Sequence, residues 1–410
     1  HRVKLVFWDL ISGLKSVYVG LDAFPHLAQH DVDLPRMLRE SVPPDVRGRV
    51  DLDTLRRIPW EPSAALVLMD LVTDDGAAHP LCARGLLRKQ VQAAHERSLR
   101  PMVTSRLGFT LFREPPDQSR ARGFRGLTPV TPGGPEGAYS GGALQQAFLH
   151  PLLDHLKACD VAVDLLHAGE SPGAFVVSLA PAPALEAADQ AMLFKTALRE
   201  VSMLHGLSVT FMARPQDGMV RSPGHFLTSL YNPEQTENLC MAEGGGLAAV
   251  AQQFLAGQIE HAPTFMPLLA PTPNSYGWTE RDLDEPAFTV QLPRKGQAVA
   301  AWHGINVMVG AADVNPYVAL GGILGMGLQG VERSLELAMP VLRDGVLPRR
   351  HLDMPATLDE AVGRLRLSNV ARQLFGPAVL DHLVQSRRDE LEHARRTLTD
   401  HELRRYFETA

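Results

Sequence analysis

Side chains able to do chemistry are plentiful in this 410-residue chain, but spacing rarely gathers them. Its 16 histidines include no HExxH pair, so no helix offers two imidazoles on one face to a zinc ion. Cys82, Cys159 and Cys240 stand apart without CxxC or CxxH spacing, which points away from a disulfide framework or a structural zinc. They read as small buried hydrophobes. Gly325-Met326-Gly327-Leu328-Gln329-Gly330 spells GxGxxG, yet the segment before it reads as helix. A dinucleotide fingerprint needs a strand there, so close helix packing is the expected reason for these glycines. Ser222 and Ser229 lack an evident His-Asp partner and read as hydroxyls that satisfy backbone groups rather than as nucleophiles.

The elements that must carry any site are clearer. Val3–Leu10 and Lys15–Val19 predict two strands joined by the Ile11-Ser12-Gly13-Leu14 turn, and Leu66–Leu71 a third. Thr73-Asp74-Asp75-Gly76 followed by Pro80 marks a boundary, placing a small domain at 1–78 and a large one at 79–410. Leu86–Glu96 reads as helix and Met102–Leu111 as strand, followed by a Pro-, Gly- and Arg-rich functional or disordered loop over Arg113–Gly142. Leu185–His205 predicts a helix that ends at Gly206 and passes into a strand over Leu207–Met212. Thr357-Leu358-Asp359-Glu360 is a capping box opening a helix through Leu374, stopped by Gly376-Pro377, and Thr399–Glu402 is a second box.

Bulk properties narrow the partners. A net charge of -6 without blocks of like charge argues against nucleic acid or a polybasic membrane contact. The longest apolar stretches, such as Val318–Met326, fall short of the roughly 20 residues a membrane span needs. The first residues lack a signal-peptide pattern, so the expected location is cytoplasmic. Abundant Arg, Ala, Pro and Leu suit a bacterial source.

Several segments, in order along nearly the whole chain, resemble the class I glutamine synthetase family. Val50-Asp51-Leu52-Asp53-Thr54-Leu55-Arg56-Arg57-Ile58-Pro59-Trp60 is similar to the end of that family's N-terminal domain. Thr128–Pro132 with Tyr139-Ser140 resembles the loop after its first catalytic strand, and Val209–Pro215 its TFMxKP strand. Ser222, His225 and Leu230 fall on the GSGxHxHxSL segment, Asn274-Ser275-Tyr276 on the start of the substrate flap, and Asp313–Tyr317 on the ADANPY turn. Asp389-Glu390-Leu391 and Thr399–Phe407 are similar to the family's terminus. The resemblance implies an α+β fold: a β-grasp domain plus a catalytic-type domain of the creatine kinase-like kind, with a curved antiparallel sheet and helices forming a funnel. It also implies hexameric or dodecameric rings, Mg²⁺ and ATP as cofactors, and a place in nitrogen metabolism.

The pocket positions depart from that pattern. Where the family carries Glu-x-Glu on a strand, both pointing at one metal site, this chain has Arg106 and Gly108. The second metal cluster falls on Gly169, Ala174 and Val176, with Glu170 one residue out of register as a candidate. His225 stays at the metal-binding histidine, but the nucleotide-holding one is Leu227. The glutamate-contacting Asn-Gly is Val220-Arg221, the flap arginine is Trp278, and a Glu and an Arg before the ADANPY-like turn are Asn306 and Met308. Gly304 stands where another Arg is common, and the ammonia-site aspartate has only Asp33 or Pro35 as gapped counterparts. Asp284 lies near the flap's catalytic glutamate. His225 and Asp284 are thus candidate remnants, and Trp278 is a candidate plug for the vacated substrate space.

Losing carboxylates and gaining Arg106 and Arg221 should turn the local field from negative to neutral or positive, unless both arginines pair with Asp284 or Glu285. The expectation is therefore a catalytically degenerate member, with no metal or nucleotide cofactor, acting as a ring-forming scaffold or as a regulatory subunit of an active paralogue. The alternatives are a ligase forming γ-glutamyl amides by altered chemistry, or a metal-independent protein that binds a small organic anion.

Overall fold

In the computed structural model the described residues are 1–11, 13–34, 46–133, 144–242, 246–278, 280–291, 303–337, 346–397, 399 and 405. Ser12, Pro35, Tyr139, Ser140, residues 400–402 of the box that opens at Thr399 and most of the similar C-terminal ending lie outside them.

The chain opens with β1 (Arg2–Trp8) and β2 (Leu14–Gly20) as an antiparallel hairpin, as the alternation predicts. The Asp9 carboxylate accepts from the Ile11 and Gly13 amides at 2.9 and 2.7 Å, closing the turn from the inside. A short helix, α1 (Phe24–Leu27), precedes β3 (Val32–Asp33), β4 (Val46–Arg57) and β5 (Ala64–Thr73). The sheet order is β2-β1-β5-β4-β3, with β1 and β5 parallel, the arrangement of a β-grasp. From its second residue on, β1 is buried at every position. Val3, Leu5 and Phe7 face a small local core, while Val6 and Trp8 join the main core of the large domain. Two covered faces explain why this strand is an unbroken apolar run.

The large domain contains α2 (Ala83–Glu96), β6 (Arg100–Phe112), α3 (Pro116–Ala121), α4 (His150–Ala158), β7 (Val163–Ala168), β8 (Ala174–Leu179) and β9 (Ala182–Pro183). It continues with α5 (Ala184–Leu204), β10 (Ser208–Thr210), β11 (Gly224–Tyr231), α6 (Ala249–Leu269), α7 (Glu280–Asp284), β12 (Pro286–Gln291) and β13 (Gly304–Val307). The last elements are α8 (Pro316–Glu332), β14 (Val346–Pro348), α9 (Leu358–Leu367), α10 (Asn369–Phe375) and α11 (Pro377–Arg396). Its sheet runs β14-β12-β13-β11-β6-β8-β7, antiparallel throughout, with β9 and β10 pairing the two ends of β6. The thirteen-residue β6 is therefore the spine on which a site can be hung.

Two expectations need correction. The helix opening at Thr357 does not run to Leu374: it ends at Leu367, and the Ser368 hydroxyl accepts from the Ala371 amide at 3.1 Å to start a new helix. A serine able to cap competes with helix continuation, and here it wins. The strand after Gly206 covers only Ser208–Thr210. The GxGxxG glycines do serve packing: a Cβ at Gly330 would lie 2.0 Å from the Gln253 carbonyl oxygen, where α8 crosses α6.

Buried polar contacts join the two domains. Arg84 of α2 donates to Asp189 of α5 at 2.9 Å and to Asp51 of β4 at 2.7 Å, and it reaches Asp70 of β5 at 3.3 Å. The Tyr317 hydroxyl donates to the same Asp189 at 2.6 Å. All three cysteines are buried, and the Cys82 and Cys240 sulfurs accept backbone amides. Among the described residues no helix is long and apolar enough to cross a membrane.

Candidate functional site

Register on the spine decides which side chains meet. Arg106 of β6 is paired across the sheet with His225 of β11 on one side and with Ser178 of β8 on the other. Two residues on, Gly108 is on the same face but offers nothing, and nothing could stand there. A Cβ at that position would lie 2.5 Å from Pro223 Cδ and 2.9 Å from its nitrogen. The Gly108 amide donates to the Pro223 carbonyl at 2.7 Å, so the proline is fixed against the strand.

Above this face lies a cavity of about 620 Å³, lined by Arg106, His167, Arg221, His225, Glu285 and Arg349 among others. Gly169, Glu170, Ala174, Val176, Ser222 and Met308 also border it. Gly108, Leu227, Ser229, Trp278, Asp284 and Asn306 do not. Leu227 is buried, and the Ser229 hydroxyl donates to the His303 carbonyl at 2.6 Å, a backbone-satisfying role. Asn306 is a buried residue of β13 paired with Leu227.

Three corrections concern charge. Neither Arg106 nor Arg221 pairs with Asp284 or Glu285. Arg221 is buried and donates to the Val309, Gly310 and Ser275 carbonyls, so its charge is held by backbone oxygens. Burial beside Arg349 pulls its pKa down to about 9. Glu285 instead accepts from Arg349 at 3.1 Å, while Asp284 is an exposed residue at the end of α7. Glu170 is exposed and pairs with Arg281, an ion pair at the rim rather than a metal ligand. Trp278 does not fill the cavity: its ring lies 4.3 Å from the Arg221 guanidinium carbon and 5.0 Å from that of Arg349. Its indole nitrogen donates to Pro355 at 3.1 Å.

Arg349 and His167 escaped the sequence reading. Arg349 sits in a short helical turn after β14 and is 3% exposed, donating to the Asp282 and Met308 carbonyls at 3.1 and 2.8 Å. His167 of β7 bonds the Ala168 carbonyl through Nδ1 and approaches Arg106 at 3.5 Å through Nε2. No local motif marks either residue, since only the strand order brings positions 167 and 349 to position 106.

Among the described residues three buried nitrogens on this wall lack a hydrogen-bond partner: Arg106 Nε, His225 Nδ1 and Arg349 Nε. Such orphans are expensive, and their concentration around one cavity is informative. Burial and the nearby Arg106, Arg349 and Arg221 push the His225 pKa well below the usual histidine range, so its imidazole is neutral. Desolvation likewise lowers the pKa of Arg106, which has no carboxylate partner among the described residues. The donor set does not suit a hard divalent cation, which wants several carboxylate oxygens: of the two carboxylates that border the cavity, Glu285 is paired with Arg349 and Glu170 with Arg281. Among the described residues no group of three or more His, Cys, Asp or Glu side chains is placed to hold a metal. The wall is built instead to donate hydrogen bonds.

Known proteins share both the sequence pattern and the fold. The chain is 30% identical over 371 residues to the γ-glutamylethanolamide synthetase of Streptomyces coelicolor, covering 89% of this chain and 79% of that one. It is 28% identical to type-1 glutamine synthetase 2 of Dictyostelium discoideum, over 89% of this chain and 72% of the relative. Glutamate–isopropylamine ligase of a Pseudomonas species is 26% identical, over 96% and 88%. The solved structure of apo GmaS without ligand superposes with a TM-score of 0.84 at 22% identity, covering 99% of this chain and 96% of that one. A novel glutamine synthase homolog gives 0.80 at 23% identity, covering 99% and 97%. With residues 80–406 matching the model for the glutamine synthetase catalytic domain, this chain belongs to the glutamine synthetase family.

Proposed function

We propose that this family member uses its funnel to bind a small organic anion of the glutamate or γ-glutamyl amide type without a divalent metal. The observation that carries the reading is the set of unpartnered buried nitrogens of Arg106, His225 and Arg349 around one cavity of about 620 Å³. A carboxylate accepts from such donors, and pairing a desolvated guanidinium is worth more than pairing one in water. Glu285 at the wall and Glu170 at the rim give an acidic counterpart for an amino group at the other end of the ligand. A pure scaffold gives no reason to keep an open pocket with unsatisfied polar groups, and the relatives' names lend that expectation no support. Assembly of this chain with itself into rings remains part of the proposal, in keeping with the family resemblance.

Calorimetry in the presence of EDTA tests this, with glutamate, γ-glutamyl amides and short dicarboxylates as titrants. Saturable binding that is lost in Arg106→Met supports the reading. Binding that appears only with Mg²⁺, or no binding by any of these anions, overturns it.

A second reading is favoured by the relatives: a γ-glutamyl amine ligase with altered chemistry. It rests on their printed activities, γ-glutamylethanolamide synthetase and glutamate–isopropylamine ligase among them. Its support is the matched catalytic domain, and against it stands the donor set around Arg106. Purified chain given Mg²⁺-ATP, glutamate and ethanolamine or isopropylamine would release phosphate and a γ-glutamyl amide under this reading. Absence of product would leave the metal-free reading in place.

A further inference from the structure

A second cavity, of about 470 Å³, shares no lining residue with the funnel. It lies between α3, the C-terminal end of α5 and β10. Its wall is apolar: Phe112, Leu127, Met203, Leu207 and Met212 line it. Two cations, Arg120 and Arg199, face the same space, and among the described residues no acidic one lines it.

The two arginines differ in how their charge is spent. Arg120 pairs with Asp117 at 2.7 Å, but both side chains are largely exposed, so water or a ligand exchanges readily for that contact. Arg199 has no carboxylate partner among the described residues. Its guanidinium carbon lies 5.3 Å from the centre of the buried Phe211 ring, and the rest of the side chain is exposed at the edge of the cavity. A cation held against an aromatic face at the edge of an apolar cleft is a ready partner for one anionic group.

The rim points the same way. Phe124 is 64% exposed, Met203 55% and Met212 45%, all in one place on the surface. Phe124 also carries a φ of +60°, a left-handed conformation that a bulky aromatic residue rarely adopts. Its amide donates to the Ser119 carbonyl at 2.8 Å, which fixes this backbone conformation at the mouth, where no described residue covers the ring. Strain kept at an exposed position is a marker of use rather than of packing.

We infer that this cavity binds an amphipathic monocarboxylate, an alkyl or aryl chain ended by a single carboxylate. The chain lies along the Phe112, Leu207 and Met203 wall, and the carboxylate meets the Arg199 guanidinium. One guanidinium without a carboxylate partner among the described residues argues for one negative charge rather than two, and the volume lies in the range of small-molecule sites. This site is independent of the funnel reading and stands or falls apart from it.

The test is calorimetric titration of the full chain with octanoate, with octan-1-ol as the uncharged control. The expected result is one octanoate per chain, at least tenfold tighter than octanol. Arg199→Gln should weaken octanoate at least tenfold while leaving octanol unchanged, and Met203→Trp should fill the space and abolish both. Arg106→Met in the funnel should leave octanoate binding as it is. Circular dichroism confirms that each variant is folded, and because Arg199 and Met203 are both exposed, neither substitution endangers the core. Equal affinity for octanol and octanoate, indifference to either cavity variant, or no octanoate binding by the folded wild type would each overturn the assignment.

Discussion

Replacing Arg106 by methionine should make the ligand-free protein more stable and the anion site useless. Methionine keeps the aliphatic stem against the β6 wall but removes the guanidinium, whose Nε is buried without a partner. An unsatisfied buried donor costs about 1–3 kcal/mol, and little offsets that cost because no carboxylate faces Arg106 among the described residues. With an unfolding entropy of roughly 2.1 cal/mol/K per residue over 410 residues, the gain corresponds to a rise in Tm of about 1–4 °C. Binding moves the other way. A hydrogen bond to a charged group is worth about 1.5–3 kcal/mol, so affinity for a carboxylate titrant should fall by roughly 10- to 150-fold. Urea unfolding without ligand gives the first number and calorimetry with EDTA the second. A variant that unfolds more easily by about 1 kcal/mol or more, or that binds the anion as well as the parent, would show that Arg106 is satisfied structurally and refute the reasoning.

Other consequences follow from particular contacts. His225 has a folded-state pKa depressed well below its unfolded value of about 6.5, so it costs nothing at neutral pH. As pH falls below about 6.5 the unfolded chain takes up the proton and the folded one resists, so stability is lost on the acid side. His225→Gln should flatten that acid loss in urea titrations between pH 7 and 5. Arg84→Met should cost about 3–5 kcal/mol, because Asp189 would be left buried without its cation, while Arg88 of α2 still reaches Asp70 at 2.7 Å; denaturant unfolding measures it. Thr357→Ala should cost about 0.5–2 kcal/mol through the lost cap on the Glu360 amide, without effect on anion binding. Light scattering on the purified chain should give a mass several times the monomer's 44.8 kDa if the proposed rings form.

Sequence reasoning reached the strands and caps because their signals are local. The Ile11–Leu14 turn, the β6 run and the Thr357 box each lie within a dozen residues and report backbone geometry directly. It reached Arg106 as well, because strand alternation says which way positions 106 and 108 point. It misjudged Arg221, whose charge looked available until the Val309 and Gly310 carbonyls were seen to hold it. It chose Asp284 where Glu285 is the acid at the wall, since a one-residue step on a helix end turns the side chain by about 100°. His167 and Arg349 were out of reach, because their meeting with Arg106 depends on the order of strands and not on any neighbour in the chain.

Pro223 decides what position 108 can carry. With its ring pressed against Gly108, a carboxylate could stand at that position only if the proline left first. Positions 108 and 223 are thus coupled: a side chain at 108 is tolerated only together with a change at 223, so a single substitution of Gly108 reports the fit of the proline before it reports any chemistry of the wall.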